Sequence, residues 1–301
     1  MRTIVLNQTN IVNLNNGNNQ LVYKFPNSVL FSGTSIAVSS VSMYYSWFNI
    51  STSLQNNNFS YTWTSGTTTT TYNVTIPNGV YEIADLNTFL QYIFIQNGTY
   101  LIDASGKNAY YGEFILNPTR YAVQINTYLV PTSLPTGFIQ PSNFVGFPTT
   151  SFNPVITIPS NLNNILGFYA NFVTPSNVNN AYVPPANQSL IAKNNNGTIS
   201  CLSTQAPNVQ PNSSLYFAIS NINNPFSLPS SIIYALVPTG TVGQLITERP
   251  PQFVWNRLID GTYNELRMTF LGSDLQPIQI NDPQMTIMLV IKEADEYGGK
   301  N

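Results

Sequence analysis

Histidine is missing from this chain altogether, and that gap removes much of enzyme chemistry. Without an imidazole there is no Ser-His-Asp or Cys-His relay, no imidazole-ligated zinc, and no His-based metal site of the cupin kind. Charge is nearly as scarce: Asp, Glu, Lys and Arg make up 7% of 301 residues, against roughly a quarter in an average globular protein. The basic residues stand singly and the net charge is -2, so the phosphate-neutralising patch of a nucleic-acid binder is absent and direct contact with nucleic acid is not expected. Cys201 is the lone cysteine; it excludes an intrachain disulfide and reads as a small buried hydrophobe on a strand. Residues 121–192 carry no charge, yet Asn, Pro, Ser and Thr interrupt them. No run reaches the roughly 20 apolar residues of a membrane helix, so stable membrane insertion is not expected. The opening MRTIVLNQTN also lacks an apolar stretch of signal-peptide length, which argues against secretion by that route.

What is present is strand-forming. Apolar residues make up 43% of the chain, with 18 Tyr, 17 Phe and 3 Trp, while Asn, Ser and Thr fill the polar positions. A surface so poor in charge solubilises a free monomer badly and fits a subunit whose flanks meet other protein. Eight N-x-S/T acceptors, at Asn7, Asn49, Asn58, Asn73, Asn97, Asn187, Asn196 and Asn212, are expected by chance in such a composition and carry no functional weight.

The organising stretch is residues 266–291. Leu266, Met268 and Phe270 alternate with Arg267 and Thr269, and the apolar run 285–291 reads as a strand covered on both sides, at the centre of the fold. Phe270, Ile287, Leu289 and Ile291 are expected to share a core with side chains from 21–25 and 36–47. The phase of alternation changes across Ser39 and Ser40, which predicts a β-bulge. Pro26 is expected to stop the strand beginning at Leu21. Phe59, Tyr61 and Trp63 form another alternating strand, and Tyr72, Val74 and Ile76 follow a Thr-rich turn at 67–71. The first 20 residues, rich in Asn, read as an arm that orders against a neighbour or stays loose, and 171–190 as a linker or long loop.

One helix stands out, from 86 to about 96: Leu86, Phe89, Leu90, Ile93 and Phe94 fall on one face, Asp85 is placed to cap it and Gly98 to end it. A single helical turn is expected near Leu162, Ile165 and Leu166. Many short strands, Pro/Asn/Gly turns and so little helix predict an all-β fold, a β-sandwich of jelly-roll type. Thirteen of the 22 charges lie after residue 247, which predicts more water or more ion pairs there.

Little chemistry remains. Asp103 and Glu113 are close in sequence and could in principle form an acid/base pair of the glycosidase kind, and both read more simply as solvated loop and strand-edge residues. Asp274 and Asp282 read as turn residues bonding nearby backbone. Asp295 and Glu296 are too few oxygens for calcium. No catalytic, cofactor-binding or metal residue is expected, and no cofactor.

The runs SMYYSWFNIS, NNFSYTW, YNVTIPNGVYEIADLNTFL and ELRMTFLGSDLQPIQINDPQMTIMLVIKE, in that order and spacing, resemble the penton (minor capsid) proteins of virophages and polinton-like elements, nearest the Mavirus type. The resemblance implies a single jelly roll with an inserted, outward-facing domain carrying the helix. It further implies a non-enzymatic virion protein, a homopentamer at the fivefold capsid vertices that meets the major capsid protein and is assembled inside the host cell. On this basis residues 1–77 and 173–301 are expected to form the jelly roll, with its N-terminal arm, and 78–172 the insertion. The alternative is a receptor- or glycan-binding β-sandwich of spike or adhesin type, because jelly rolls also serve as lectins.

Overall fold

The alternating side chains converge on separate interiors in a computed structural model that describes residues 1–13, 19–176, 190–194, 196–209, 213–240, 243–273 and 275–293. Contacts divide the chain into unit 1, Met1–Phe48 with Gln210–Asn301, and unit 2, Asn49–Val209.

Strands are numbered along the whole chain. Unit 1 contains β1 (Arg2–Leu6), β2 (Ile11–Asn13), β3 (Asn19–Phe31), β4 (Ser35–Tyr44), β15 (Leu215–Ile219), β16 (Ile232–Leu236), β17 (Leu245–Glu248), β18 (Asn256–Arg257), β19 (Gly261–Leu271) and β20 (Thr286–Lys292). One antiparallel sheet runs β1-β20-β4-β17, with β18 also paired to β4, and the other runs β16-β15-β19-β3-β2. With the short β2 and β18 set aside, the eight remaining strands counted along the chain lie in the orders 1-8-3-6 and 5-4-7-2. That interleaving is the strand order of a jelly roll.

As the apolar run requires, β20 is an inner strand, between β1 and β4. Phe270, Ile287, Leu289 and Ile291 join Leu21, Ile36, Val38, Val41, Met43 and Trp47 in one buried cluster drawn from both sheets. Along β20 the register passes from Met288 opposite Ser40 to Leu289 opposite Val38. Ser39 is thus the extra residue, and the expected bulge puts Val38 and Val41 in one core.

Two local expectations fail. Pro26 does not end its strand: β3 continues to Phe31, and the register against β19 jumps from Lys24–Glu265 to Val29–Tyr263. The wide bulge takes Pro26 out of the ladder, so its missing N–H breaks no pairing. Nor is the start of the chain a loose arm, because β1 pairs with β20 and buries Ile4 and Leu6 in the core. Asn7 then accepts a hydrogen bond from the Thr9 amide at 2.9 Å and so caps a 3-10 turn.

Unit 2 contains β5 (Asn58–Ser65), β6 (Thr68–Thr75), α1 (Ile83–Asn97), β7 (Tyr100–Ile102), β8 (Asn108–Tyr110), β9 (Gly112–Asn117), β10 (Ala122–Thr127), β11 (Ile156–Ile158), α2 (Ser160–Leu166), β12 (Phe172–Val173), β13 (Leu190–Lys193) and β14 (Ile199–Leu202). Its sheets are β13-β14-β10-β9 and β12-β11-β5-β6, with β7-β8 as a separate hairpin. Ile83, Leu86, Leu90 and Phe94 form the buried stripe of α1, which packs with Phe59, Tyr61 and Phe114 in a core richer in aromatics than that of unit 1. The helix starts earlier than its periodicity predicts, and Asp85 sits inside the first turn, accepting from the Glu82 amide at 2.9 Å. Gly98 does end it, at φ 65°, where a Cβ would come within 1.9 Å of the Asn143 carbonyl oxygen. The Thr-rich segment proves to be strand from Thr68 onward, and the turn is confined to Gly66 and Thr67.

The boundaries expected at 78 and 172 fall inside unit 2. Residues 58–75 alternate as jelly-roll strands do, but β5 pairs with β11 and β6 in unit 2 rather than with β4. Period-two alternation marks a half-buried strand without saying which sheet it joins. Most of the expected linker at 171–190 lies outside the described residues, as do Asp274, Asp295 and Glu296.

Residues 128–155 form no strand, and side-chain amides take over where a ladder is lacking. Asn153 donates to the carbonyls of Thr127 and Gly197, both at 2.9 Å. Asn49, the first residue of unit 2, donates to Tyr81 O at 2.8 Å and to Val209 O at 2.7 Å, and accepts from Tyr81 N at 2.9 Å. One side chain therefore ties the first residue of the unit to its last.

Candidate functional site

The two carboxylates that could have formed an acid/base pair are committed elsewhere. Asp103 lies in the turn between β7 and β8, where it accepts from the Ser105 amide, the Ser105 hydroxyl and the Lys107 amide at 2.8, 2.6 and 2.9 Å. The bond from the Ser105 hydroxyl, helped by the Lys107 amide, holds its carboxyl below the usual range. Glu113 lies on β9 and accepts from the Asn126 amide at 2.7 Å and from the Tyr128 hydroxyl. Burial, and then the carboxylate it bonds, push the Tyr128 phenol up. The two acids share no partner, and a glycosidase needs them facing each other across one bond. Asp282 is buried and accepts from the Tyr44 amide at 2.6 Å and the Gln284 amide at 2.7 Å, the backbone role expected of it.

Cys201 is buried, and desolvation pushes its thiol up to about 12, which leaves almost no thiolate at neutral pH. Among the described residues no cluster of three or more Cys, Asp or Glu side chains could hold a metal ion, and no helix is long and apolar enough to cross a membrane. The clustered charges after residue 247 do form ion pairs, including Arg257–Asp260 at 3.0 Å and Arg2–Glu293 at 3.1 Å.

An open cleft of about 430 Å³ on unit 1 is lined by Ser220, Asn221, Thr262, Asn264, Glu265 and Arg267, with Tyr263. Its groups are polar, as a sugar site requires, but they are occupied. Arg267 pairs with Glu265, and the Tyr263 hydroxyl donates to the Ile259 carbonyl at 2.6 Å. The half-buried Tyr263 ring packs against the unit 1 core, so only part of it is left to meet a sugar.

The more distinctive surface lies at one end of the sandwich. Three connections are knitted together there: the Leu258 amide donates to Thr34 O, the Ile259 amide to Asn221 O, and the Gly33 amide to the Asp260 carboxylate, each at 2.9 Å. From this end the chain between β15 and β16 makes an excursion, Asn223-Asn224-Pro225-Phe226-Ser227-Leu228-Pro229. Asn224 fixes its shape, its amide donating to Ser230 O at 2.7 Å and its side-chain oxygen accepting from the Phe226 amide at 3.0 Å. Phe226 is 97% exposed and Leu228 87%; Leu30, paired beside Thr262 at the same end, is 71% exposed. Large apolar side chains held in the open by an ordered loop have the composition of an interface rather than of a solvated turn. Periodicity could not reveal them, because the segment has no strand or helix period. The usable signal was a Phe and a Leu bracketed by prolines where only turn residues are needed.

No protein-family model and no curated protein matches the chain. Among solved structures it is similar to the mavirus penton protein, at 10% identity and a TM-score of 0.38, over 97% of this chain and 98% of that one. It is also similar to a chain in the cryo-EM structure of the Sputnik virophage, at 12% identity and a TM-score of 0.36, over 98% and 99% of the two chains. Overlap at this level spans both units end to end, and the jelly-roll assignment rests on the strand order of unit 1 itself.

Proposed function

We propose that the chain is a structural subunit of a virion, the homopentameric penton at the fivefold vertices of an icosahedral shell, in contact with a major capsid protein. The observation that carries the reading is a jelly roll with ordered apolar side chains, Phe226 and Leu228 foremost, standing in solvent on a chain with very few charges. Such a surface is costly for a free monomer and suited to permanent contacts between subunits. The committed carboxylates and the inert thiol fit a protein that is not an enzyme. The number five comes from the sequence resemblance to virophage pentons. A ring of that kind uses heterologous contacts, one flank meeting a different flank of the next copy.

Native mass measurement with and without a major capsid protein tests the reading. A pentamer, or one formed on contact with that protein and incorporated into shells, is expected. A stable monomer or twofold dimer at micromolar concentration that also fails to join a shell would remove it. The glycan-binding alternative predicts strong hits on a glycan array without any shell protein, and the occupied cleft beside Tyr263 argues against them.

A further inference from the structure

We propose that Asn196, in the turn between β13 and β14, is a self-modifying site, its side-chain amide converted to a carboxylate through attack by the backbone nitrogen of Gly197. The inference goes beyond the structural-subunit reading and does not depend on it.

The reaction needs only solvent water as co-reactant. Gly197 N gives up its proton and bonds Asn196 Cγ, the Cγ–Nδ2 bond breaks, and the side-chain nitrogen leaves as ammonia with that proton. Water then opens the cyclic imide at either of its two carbonyls, leaving an aspartyl or isoaspartyl residue. Three features of the turn favour these steps. Asn196 Oδ1 accepts from the Thr198 amide at 3.1 Å and from the Thr198 hydroxyl at 2.8 Å. Two donors on that oxygen polarise the carbonyl and stabilise the negative charge it carries once the nitrogen has added. The nucleophile is unhindered: Gly197 sits at φ 85°, and a Cβ there would come within 3.1 Å of Leu129, so the fold itself keeps glycine after the asparagine. Finally, the Gly197 amide is held by one bond, to Asn194 O at 3.0 Å. That bond closes only the turn of a hairpin whose first strand, β13, is the edge of its sheet, and such turns open locally at little cost.

The chain has four Asn-Gly pairs, and the first, Asn16-Gly17, lies outside the described residues. The other two are locked. Asn78 Oδ1 is also polarised, by the Thr52 amide and hydroxyl, but Gly79 exchanges both backbone bonds with the fully buried Ile50, at 2.9 and 3.2 Å. Gly98 ends α1 with its amide on Ile95 O, and the Asn97 side-chain nitrogen, which would have to leave, donates to the Tyr61 hydroxyl at 2.8 Å. Conversion of Asn196 would place a negative charge at the start of residues 194–247, which contain none of either sign.

The test incubates the full chain at mildly alkaline pH, folded and in urea, and follows each Asn-Gly peptide by mass and by isoaspartyl content. In the folded chain Asn196 should convert faster than Asn78 and Asn97 by about tenfold or more, and in urea the three rates should converge. Conversion of Asn196 no faster than the other two in the folded chain would overturn the proposal. So would the same lead persisting in urea, which would trace it to sequence rather than to the turn. Thr198→Val removes one of the two donors and should slow conversion of Asn196 in the folded chain by about tenfold; an unchanged or higher rate would overturn the donor role on which the proposal stands.

Discussion

The two units solve the same problem, satisfying the backbone of a nearly uncharged chain, in different ways. Unit 1 relies on long ladders: β3 has 13 residues, β4 has 10 and β19 has 11, and the core between them is mostly Ile, Leu, Val and Met. Among its described residues unit 2 has no strand above 8 residues; it packs Phe and Tyr around α1 and uses side-chain amides, such as those of Asn49 and Asn153, where its sheets stop. Among the described residues its buried polar groups include Asn49, Asn56, Asn57, Asn126, Asn153 and Asn163, whereas unit 1 buries only Asn256 of that type. The Asn surplus of the sequence is thus partly structural mortar. A neutral amide can donate and accept in a dry site without the desolvation cost of a charge.

The sharpest way to probe this contrast is one core truncation per unit. Leu289→Ala in unit 1 should cost about 2–5 kcal/mol and Phe94→Ala in unit 2 about 3–5 kcal/mol, since both side chains are fully buried. Calorimetry should show each variant lowering a different transition. A single transition displaced equally by both would mean that the units unfold as one body.

Alkaline pH should act next, chiefly on unit 2. Burial holds the Cys201 thiol and the Tyr61 phenol up at about 12, above their ordinary values of 9.0 and 10.0. A raised folded value means the stabilisation is complete below the unfolded value and is lost as pH climbs through the folded one. The loss should begin above pH 9 and reach on the order of 4 kcal/mol by pH 12 from Cys201 alone. Urea midpoints across that range would check it, and a Cys201→Ala variant with an unchanged alkaline limb would contradict it.

Asn153→Ala strands the carbonyls of Thr127 and Gly197 and should destabilise unit 2 by about 1–3 kcal/mol. A neutral result in chemical denaturation would show that water replaces the amide. Smallest of all, Asn7→Ala removes the cap on the turn after β1 and should cost unit 1 about 0.5–2 kcal/mol.

How much of this was legible beforehand followed the reach of each signal. Alternation in 266–270 and 285–291 identified the core of unit 1, and the phase change at Ser39 located the bulge, because period and phase are local properties that a sheet preserves. Partner choice is not local. Nothing in Phe59, Tyr61 and Trp63 distinguishes a strand that pairs with β11 from one that continues the jelly roll, and the boundary was displaced by that ambiguity. Pro26 misled for a related reason, since the bulge that absorbs it depends on β19, far along the chain. The lack of histidine and of charge was readable from composition, whereas Phe226 and Leu228 became conspicuous only once exposure and the bonds of Asn224 were known.

The bonds of Asn49 to Val209 and Tyr81 have a further consequence for the architecture of the gene product. A segment that leaves and rejoins its host at points one side chain apart behaves as an interchangeable cassette. The entropy of closing the gap it leaves is small and nearly independent of what is spliced in. A domain of unrelated sequence with adjacent termini could therefore occupy the same position between the two segments of unit 1. Such a replacement would leave the strand order of unit 1 intact, because none of its ladders runs through the cassette.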